Sequence, residues 1–119
     1  MKRVDAHNHL QDWGTDQEIE ALINAEPKHQ IARFLVNGTS PDDWQRVFDL
    51  SQRHAAIHPS FGLHPWKLNQ ASSDWESELR QFLTQHPEAG VGECGVDLWI
   101  KDADREQQRR AFLPQLRLA

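Results

Sequence analysis

Four short apolar segments, each followed by a segment with helical periodicity, constrain the fold of this chain more than any other feature. The apolar segments span residues 3–7, 31–36, 57–62 and 89–93, so they recur about every thirty residues. Alternation of this kind is typical of βαβ units and a parallel sheet. The sequence therefore predicts an α/β fold with four parallel strands.

Helix N-termini are marked by side chains that can accept backbone N–H bonds, with an acid or amide three residues later. The four pairs are Thr15 with Glu18, Ser40 with Asp43 behind Pro41, Ser73 with Glu76, and Asp104 with Gln107. Helical spacing then predicts one buried stripe on each helix. The stripes are Ile19, Leu22 and Ile23; Trp44, Val47 and Phe48; Trp75, Leu79, Phe82 and Leu83; and Phe112 with Leu116.

The length of 119 residues fits one domain and about half of the 250 residues that a (β/α)8 barrel typically needs. Four parallel strands taken from such a barrel would leave two unpaired edges, which soluble proteins normally cover or close. We therefore expect residues 1–119 to form a single domain that is truncated relative to a full barrel.

The charge balance of 13 basic against 18 acidic residues, a net charge of -5, disfavours a basic surface for nucleic acid. A divalent metal site could still recruit phosphates. The single cysteine, Cys94, excludes an internal disulfide framework and a multi-thiolate zinc site, and it suits a reducing compartment. No apolar run approaches the ~18 residues of a membrane span, and the N-terminus lacks a signal-peptide core. We expect a cytoplasmic protein without a membrane association.

Asp5, His7 and His9 alternate at the end of the first predicted strand, so they are expected to share one face. Two imidazoles spaced in this way can bind one divalent ion, and a nearby carboxylate can orient them. The alternative is a polar strand end whose histidines are simply solvated.

Two further candidates follow the third and fourth strands. His64 precedes Pro65, which favours an extended backbone and places the imidazole at the same sheet edge, although a loop histidine without a role fits as well. Glu93 lies between glycines and suits a metal-bridging carboxylate, or a helix cap. Cys94 is expected to point towards the helices as a small buried side chain. For Asp97 we leave open a role in orienting ligands, a substrate contact and a loop cap.

The five tryptophans divide by position. Trp44 and Trp75 lie on helical stripes and are expected in the core. Trp13, Trp66 and Trp99 follow strands, so they could flank one pocket and stack on bases or sugars, or fold back on the barrel rim.

The order of these motifs resembles the TatD family of metal-dependent hydrolases. The segments that carry the resemblance are Asp-Ala-His-Asn-His at 5–9, Asn-Gly-Thr at 37–39, Gly-Leu-His-Pro at 62–65, Gly-Glu-Cys-Gly-Val-Asp at 92–97, and the last helix at 107–119. The resemblance implies the N-terminal (βα)4 half of an amidohydrolase-like TIM barrel. It also implies a two-metal phosphodiesterase that hydrolyses DNA or another phosphodiester, typically as an exonuclease.

The same resemblance implies site roles for individual residues. His7 and His9 would bind one divalent ion, Glu93 would bridge to a second, and His64 would contact substrate, with Mg²⁺, Mn²⁺ and Zn²⁺ all open. Asp97 matches a family aspartate of unspecified role. Cys94 and the valine at position 96 depart mildly from the family pattern. The family's remaining two histidines and one aspartate have no counterpart in these 119 residues.

Two alternatives to a DNase are also compatible with the sequence. Amidohydrolase-like relatives use similar His-x-His sites on other small substrates. The chain could also be a catalytically incompetent half barrel that binds metal weakly through His7 and His9, or that self-associates through its open sheet edges.

Overall fold

The computed structural model describes residues 1–25 and 30–119 and contains four strands and four α-helices within them. The strands are β1 (Arg3–Asn8), β2 (Ile31–Asn37), β3 (Ile57–Phe61) and β4 (Gly90–Val91). The helices are α1 (Asp16–Ala25), α2 (Pro41–Arg53), α3 (Trp75–Gln85) and α4 (Arg105–Leu118). Short 3₁₀ helices, Leu10–Asp12 and Pro65–Lys67, follow β1 and β3.

The four strands form one parallel sheet in the order β1-β2-β3-β4. Sequential order with every strand parallel is the arrangement of a (βα) half barrel, and it confirms the predicted fold class. The carboxyl ends of all four strands therefore lie at one edge of the sheet. Residues that follow the strands meet there.

The first three strands lie close to their predicted positions, but β4 is shorter than residues 89–93. The Gly92 N–H still donates to the Phe61 carbonyl (3.0 Å), whereas the Glu93 N–H donates to Gly38 (3.0 Å) in the loop after β2. The backbone thus leaves β3 at this point and crosses the end of the sheet. This crossing brings Glu93 towards the first two strands.

The core lies between the sheet and the helices α1, α2 and α3. Its buried members include Phe34 and Val36 from β2 and Phe61 from β3. The predicted stripes of the three helices pack against it, with the following residues buried or partly buried: Ile19, Leu22, Ile23, Trp44, Val47, Phe48, Trp75, Leu79, Phe82 and Leu83.

Three of the four predicted helix starts are confirmed. Thr15 and Glu18 exchange hydrogen bonds, Ser40 and Asp43 form a capping box, and the Gln107 N–H donates to Asp104 (3.0 Å). The predicted Ser73 and Glu76 pair is wrong. Helix α3 begins at Trp75 after Asp74, and the Ser73 hydroxyl bonds that aspartate (3.2 Å) rather than a helical N–H.

The stripe predicted for α4 is also wrong. Its buried residues are Gln108, Ala111 and Gln115, whereas Phe112 is half-buried and Leu116 is 58% exposed. The two glutamines are buried because their amides pair with the backbone of the loops after β3 and β4. Hydrogen bonding to irregular backbone overrides the apolar pattern on this helix.

The sheet face that turns away from the helices is partly open, and Val4 on β1 is 57% exposed. A complete barrel fills this face with layers of side chains. In residues 1–25 and 30–119, none of the helices has the length and apolar character needed to cross a membrane.

Candidate metal centre

Three imidazoles converge on the carboxylate of Glu93 at the carboxyl edge of the sheet. The Nε2 atoms of His7 and His9 lie 3.3 and 3.1 Å from its Oε2 atom, and the Nε2 atom of His64 lies 3.2 Å from its Oε1 atom. Ligand atoms of His7, His9 and Glu93 all lie within 4.8 Å of one another. Residues at the ends of three strands, β1, β3 and β4, thus form one compact cluster.

Local backbone features explain this convergence. Pro65 follows His64, which adopts an extended conformation (φ -65°, ψ 141°) as the sequence predicts. Glu93 is held by the hydrogen bond from its N–H to Gly38. Gly62 permits the crossing, since a Cβ atom there would lie 2.7 Å from the Gly92 carbonyl carbon and 2.8 Å from the Glu93 oxygen.

The tautomer of His9 follows from its hydrogen bond. Its Nδ1 atom lies 2.8 Å from the Asn37 carbonyl oxygen, which can only accept, so Nδ1 carries the proton. In the neutral ring, Nε2 then holds a lone pair that faces the Glu93 carboxylate. The Nε2 and Oε2 atoms lie 3.1 Å apart, so their lone pairs repel unless a proton or a metal ion lies between them.

This donor set fits a divalent metal ion. A neutral imidazole whose second nitrogen bonds a backbone carbonyl is the usual state of a histidine ligand. The Oε2 atom of Glu93 is buried and has no hydrogen-bond partner in the described part of the chain. Nitrogen and oxygen atoms 3.1–3.3 Å apart can both lie about 2.1 Å from one cation.

His64 differs from His9 in the position of its proton. The Trp66 N–H donates to His64 Nδ1 (3.1 Å), so in the neutral ring Nε2 carries the proton and points at Glu93 Oε1. His64 is therefore arranged as a hydrogen-bond donor rather than as a metal ligand.

The two other sequence candidates lie beside this cluster in different roles. Asp5 accepts the His7 backbone N–H (3.2 Å), and the pairing of β1 with β2 is irregular between Asp5 and Asn8. Asp97 accepts the Trp66 indole N–H (3.0 Å) and the Trp99 backbone N–H (2.8 Å). Asp97 thus combines a loop cap with a contact to the loop of His64.

Cys94 is half-buried, and its thiol is a poor nucleophile here. Burial raises its pKa, and the neighbouring Glu93 carboxylate raises it further. Both effects disfavour the thiolate, which is the reactive form of cysteine.

A groove of about 460 Å³ opens beside the cluster, and its lining includes His9, Thr39, His64, Trp66 and Lys67. Of the three tryptophans expected near a pocket, Trp66 lies here. Trp13 and Trp99 are 58% and 93% exposed and lie outside this lining.

Sequence reasoning did not identify the residues that hold the cluster in place. Gln11 is buried and donates from Nε2 to the Asn37 carbonyl (2.8 Å), the same oxygen that binds His9. Gln115 pairs with both backbone groups of Leu63, immediately before His64. An amide side chain on a loop or helix carries no pattern that predicts such pairing, although Asn37 itself lies in a segment that carries the family resemblance.

The family model described as TatD related DNase matches residues 4–119. The crystal structure of YjjV, a TatD homologue from Escherichia coli K12, is 28% identical and superposes with a TM-score of 0.89. That comparison covers 98% of this chain and 46% of YjjV.

Curated relatives carry related names. YjjV from Escherichia coli K12 is described as an uncharacterized metal-dependent hydrolase, and 28% of 118 residues are identical. A protein of Citrobacter koseri, named 3'-5' ssDNA/RNA exonuclease TatD, is 32% identical over 89 residues, which cover 75% of this chain and 34% of that protein. The chain spans less than half the length of these relatives. Its family match, its parallel half barrel and its histidine and glutamate cluster together show that the chain belongs to the TatD family.

Proposed function

We propose that this chain provides the N-terminal half of a metal-dependent phosphodiesterase, a nuclease that removes nucleotides from the ends of single-stranded DNA or RNA. The observation that carries the proposal is the convergence of His7, His9 and Glu93 at the carboxyl edge of the sheet. Relatives named as ssDNA/RNA exonucleases support the substrate class.

The proposed complete site would hold two divalent ions, and His7 and His9 would be ligands of one. Glu93 would bind both ions, as the family resemblance implies; its Oε2 atom faces the histidine pair, and its Oε1 atom faces the His64 ring. Bound divalent ions supply Lewis acidity towards a phosphodiester and an activated water. The ions, rather than lysines, would offset the substrate charge, which is compatible with a net charge of -5.

His64 is the proposed substrate contact. Its Nε2–H is directed into the cluster and can donate to a phosphate oxygen once a substrate is present. Its ring is held by the Trp66 N–H on the opposite nitrogen, so the donor points in a fixed direction. Asp97 positions this loop through the Trp66 indole, and Asp5 positions the backbone of His7.

The remaining ligands of the two-metal site would come from the other half of the barrel. Within the described residues, β1 and β4 form the two edges of the sheet, and Val4 is exposed on its open face. These features support a second candidate, a half barrel that self-associates and does not turn over substrate. Light scattering of the 119-residue protein separates a monomer from a dimer.

The free thiol of Cys94 is compatible with a protein that acts in a reducing cytoplasm.

Metal binding provides the direct test. Titration of Mn²⁺ or Zn²⁺ into the protein should show saturable binding that Glu93→Gln weakens by about tenfold or more, an effect on the scale of ligand-sphere substitutions. Glu76→Gln is the matched control, because that exposed carboxylate pairs only with Arg80 among the described residues. Equal affinity in both variants would refute the assignment of Glu93.

Activity is tested with a 5'-labelled single strand and the same ions. Where the other half of the barrel completes the ligand set, we expect shortening of the strand that EDTA and Glu93→Gln both stop, and no hydrolysis of ester or amide substrates. Hydrolysis of an amide or ester in place of the strand would favour another amidohydrolase-like function. A protein that pairs, binds metal weakly and cleaves nothing would favour the half barrel without catalysis.

A further inference from the structure

We propose that Trp66 is a stacking platform for a nucleobase, so that this site recognises nucleic acid by a base and not only by a phosphodiester. The inference rests on the proposed nuclease function and deepens it. Its basis is an exposed indole that is fixed in orientation beside the candidate metal centre.

Trp66 is 54% exposed, yet both ends of the residue are held. Its backbone N–H donates to His64 Nδ1 (3.1 Å) and its indole N–H donates to Asp97 Oδ2 (3.0 Å). A side chain that is ordered before binding loses little rotamer freedom when a ligand arrives. The indole N–H is already hydrogen-bonded to Asp97, so the face of the ring is available to stack on a base.

The surroundings of the ring point to a base rather than to a phosphate. The His64 and Trp66 rings are nearly perpendicular (81°, centroids 5.2 Å apart), so the imidazole does not lie flat over the indole. The groove that Trp66 lines contains three carboxylates against one ammonium group: Asp12, Asp42 and Asp43 against Lys67. This acidity repels a phosphate, and the carboxylates of Asp12 and Asp42 can accept hydrogen bonds from the N–H groups of a base, whereas that of Asp43 is bonded to Thr39 and Ser40.

The geometry links this groove to the reacting centre. His64 lines the groove and also contacts Glu93, so a nucleotide whose phosphodiester lies at Glu93 has its base within reach of Trp66. Stacking on aromatic side chains tolerates any base, because every base has a π-face. A platform of this kind therefore suits a nuclease without sequence preference.

The experiment compares two fluorescein-labelled single strands of equal length, oligo(dT) and the same backbone with abasic tetrahydrofuran units. Binding is followed by anisotropy in Ca²⁺ buffer, and each strand is checked for integrity on a gel afterwards. The wild-type protein should bind oligo(dT) about 5- to 140-fold more tightly than the abasic strand, the range expected for one stacked base.

Three variants separate stacking from a fold defect. Trp66→Ala should erase the preference for oligo(dT), Trp66→Phe should keep most of it, and Trp99→Ala should leave it unchanged because that ring lies outside the groove. Circular dichroism confirms folding of each variant. A wild-type protein that binds both strands equally, or a Trp66→Ala protein that still discriminates, would overturn the inference.

Strand cleavage in Mn²⁺ is measured separately and tests the proposed nuclease. Base-dependent binding without cleavage supports the Trp66 platform and favours the half barrel that does not turn over substrate. Cleavage of both strands at the same rate with base-independent binding supports the nuclease and overturns the platform.

Discussion

Gly62 lies where the backbone of the Glu93 segment crosses the end of β3, and replacing it with alanine tests that crossing. An added Cβ atom would lie 2.7 Å from the Gly92 carbonyl carbon, 2.8 Å from the Glu93 carbonyl oxygen and 2.9 Å from the Gly92 Cα atom. All three neighbours are backbone atoms, so no side chain can rotate away. The Gly92 to Glu93 segment must retreat by about 0.7 Å to restore an ordinary 3.4 Å contact.

Overpacking of this size typically costs about 1–3 kcal/mol. For a chain of 119 residues, each kcal/mol lowers the melting temperature by about 4 °C, so Gly62→Ala should melt about 4–12 °C below the wild type. The same retreat carries Glu93 away from His7 and His9. We expect Mn²⁺ affinity to fall by about tenfold, the scale on which changes around metal ligands act.

Thermal unfolding followed by circular dichroism measures the first effect, and calorimetric titration of Mn²⁺ measures the second. Gly90→Ala is the matched control, since a Cβ atom there meets only Ser60 side-chain atoms at 3.4 and 3.5 Å, an ordinary contact. It should be neutral or slightly stabilising because alanine restricts the unfolded chain. A Gly62→Ala protein that melts and binds metal like Gly90→Ala would refute the close crossing.

Two further predictions concern groups outside the cluster. Gln115→Leu removes the amide that pairs with the backbone N–H and carbonyl of Leu63 (2.7 and 3.1 Å), so it should lower the free energy of unfolding by at least about 2 kcal/mol in urea titration. A change under 0.5 kcal/mol, within the range usual for surface substitutions, would contradict this. Hydrogen bonds from Arg53 and then Arg46 lower the pKa of Asp16, so its contribution to stability is present above pH 3.8 and is lost as the pH falls further. The melting temperature of Asp16→Asn should therefore be lower than that of the wild type at pH 6 and nearly equal to it at pH 3. A difference in melting temperature that stays constant between these pH values would show that the ion pair does not stabilise the fold.

Local sequence patterns predicted most of the scaffold. The starts of α1 and α2 follow from Thr15 and Ser40, whose side chains act within three residues and need no tertiary information. The same local rule failed at Ser73, where the serine hydroxyl bonds Asp74 instead. On α4, apolar spacing selected Phe112 and missed the buried Gln108, because that glutamine pairs with loop backbone distant in sequence.

The candidate site also has features that the sequence predicts and features that depend on the tertiary structure. The sequence by itself determined which side chains end the strands, because the C-termini of parallel strands share one edge, and so His7, His9, His64 and Glu93 could be named in advance. Only the tertiary structure determined which nitrogen of each imidazole ring carries the proton. Asn37 lies 28 residues from His9, and its carbonyl assigns the His9 proton, whereas the Trp66 N–H assigns that of His64. Proton positions depend on three-dimensional hydrogen-bond partners, which spacing along the chain does not encode.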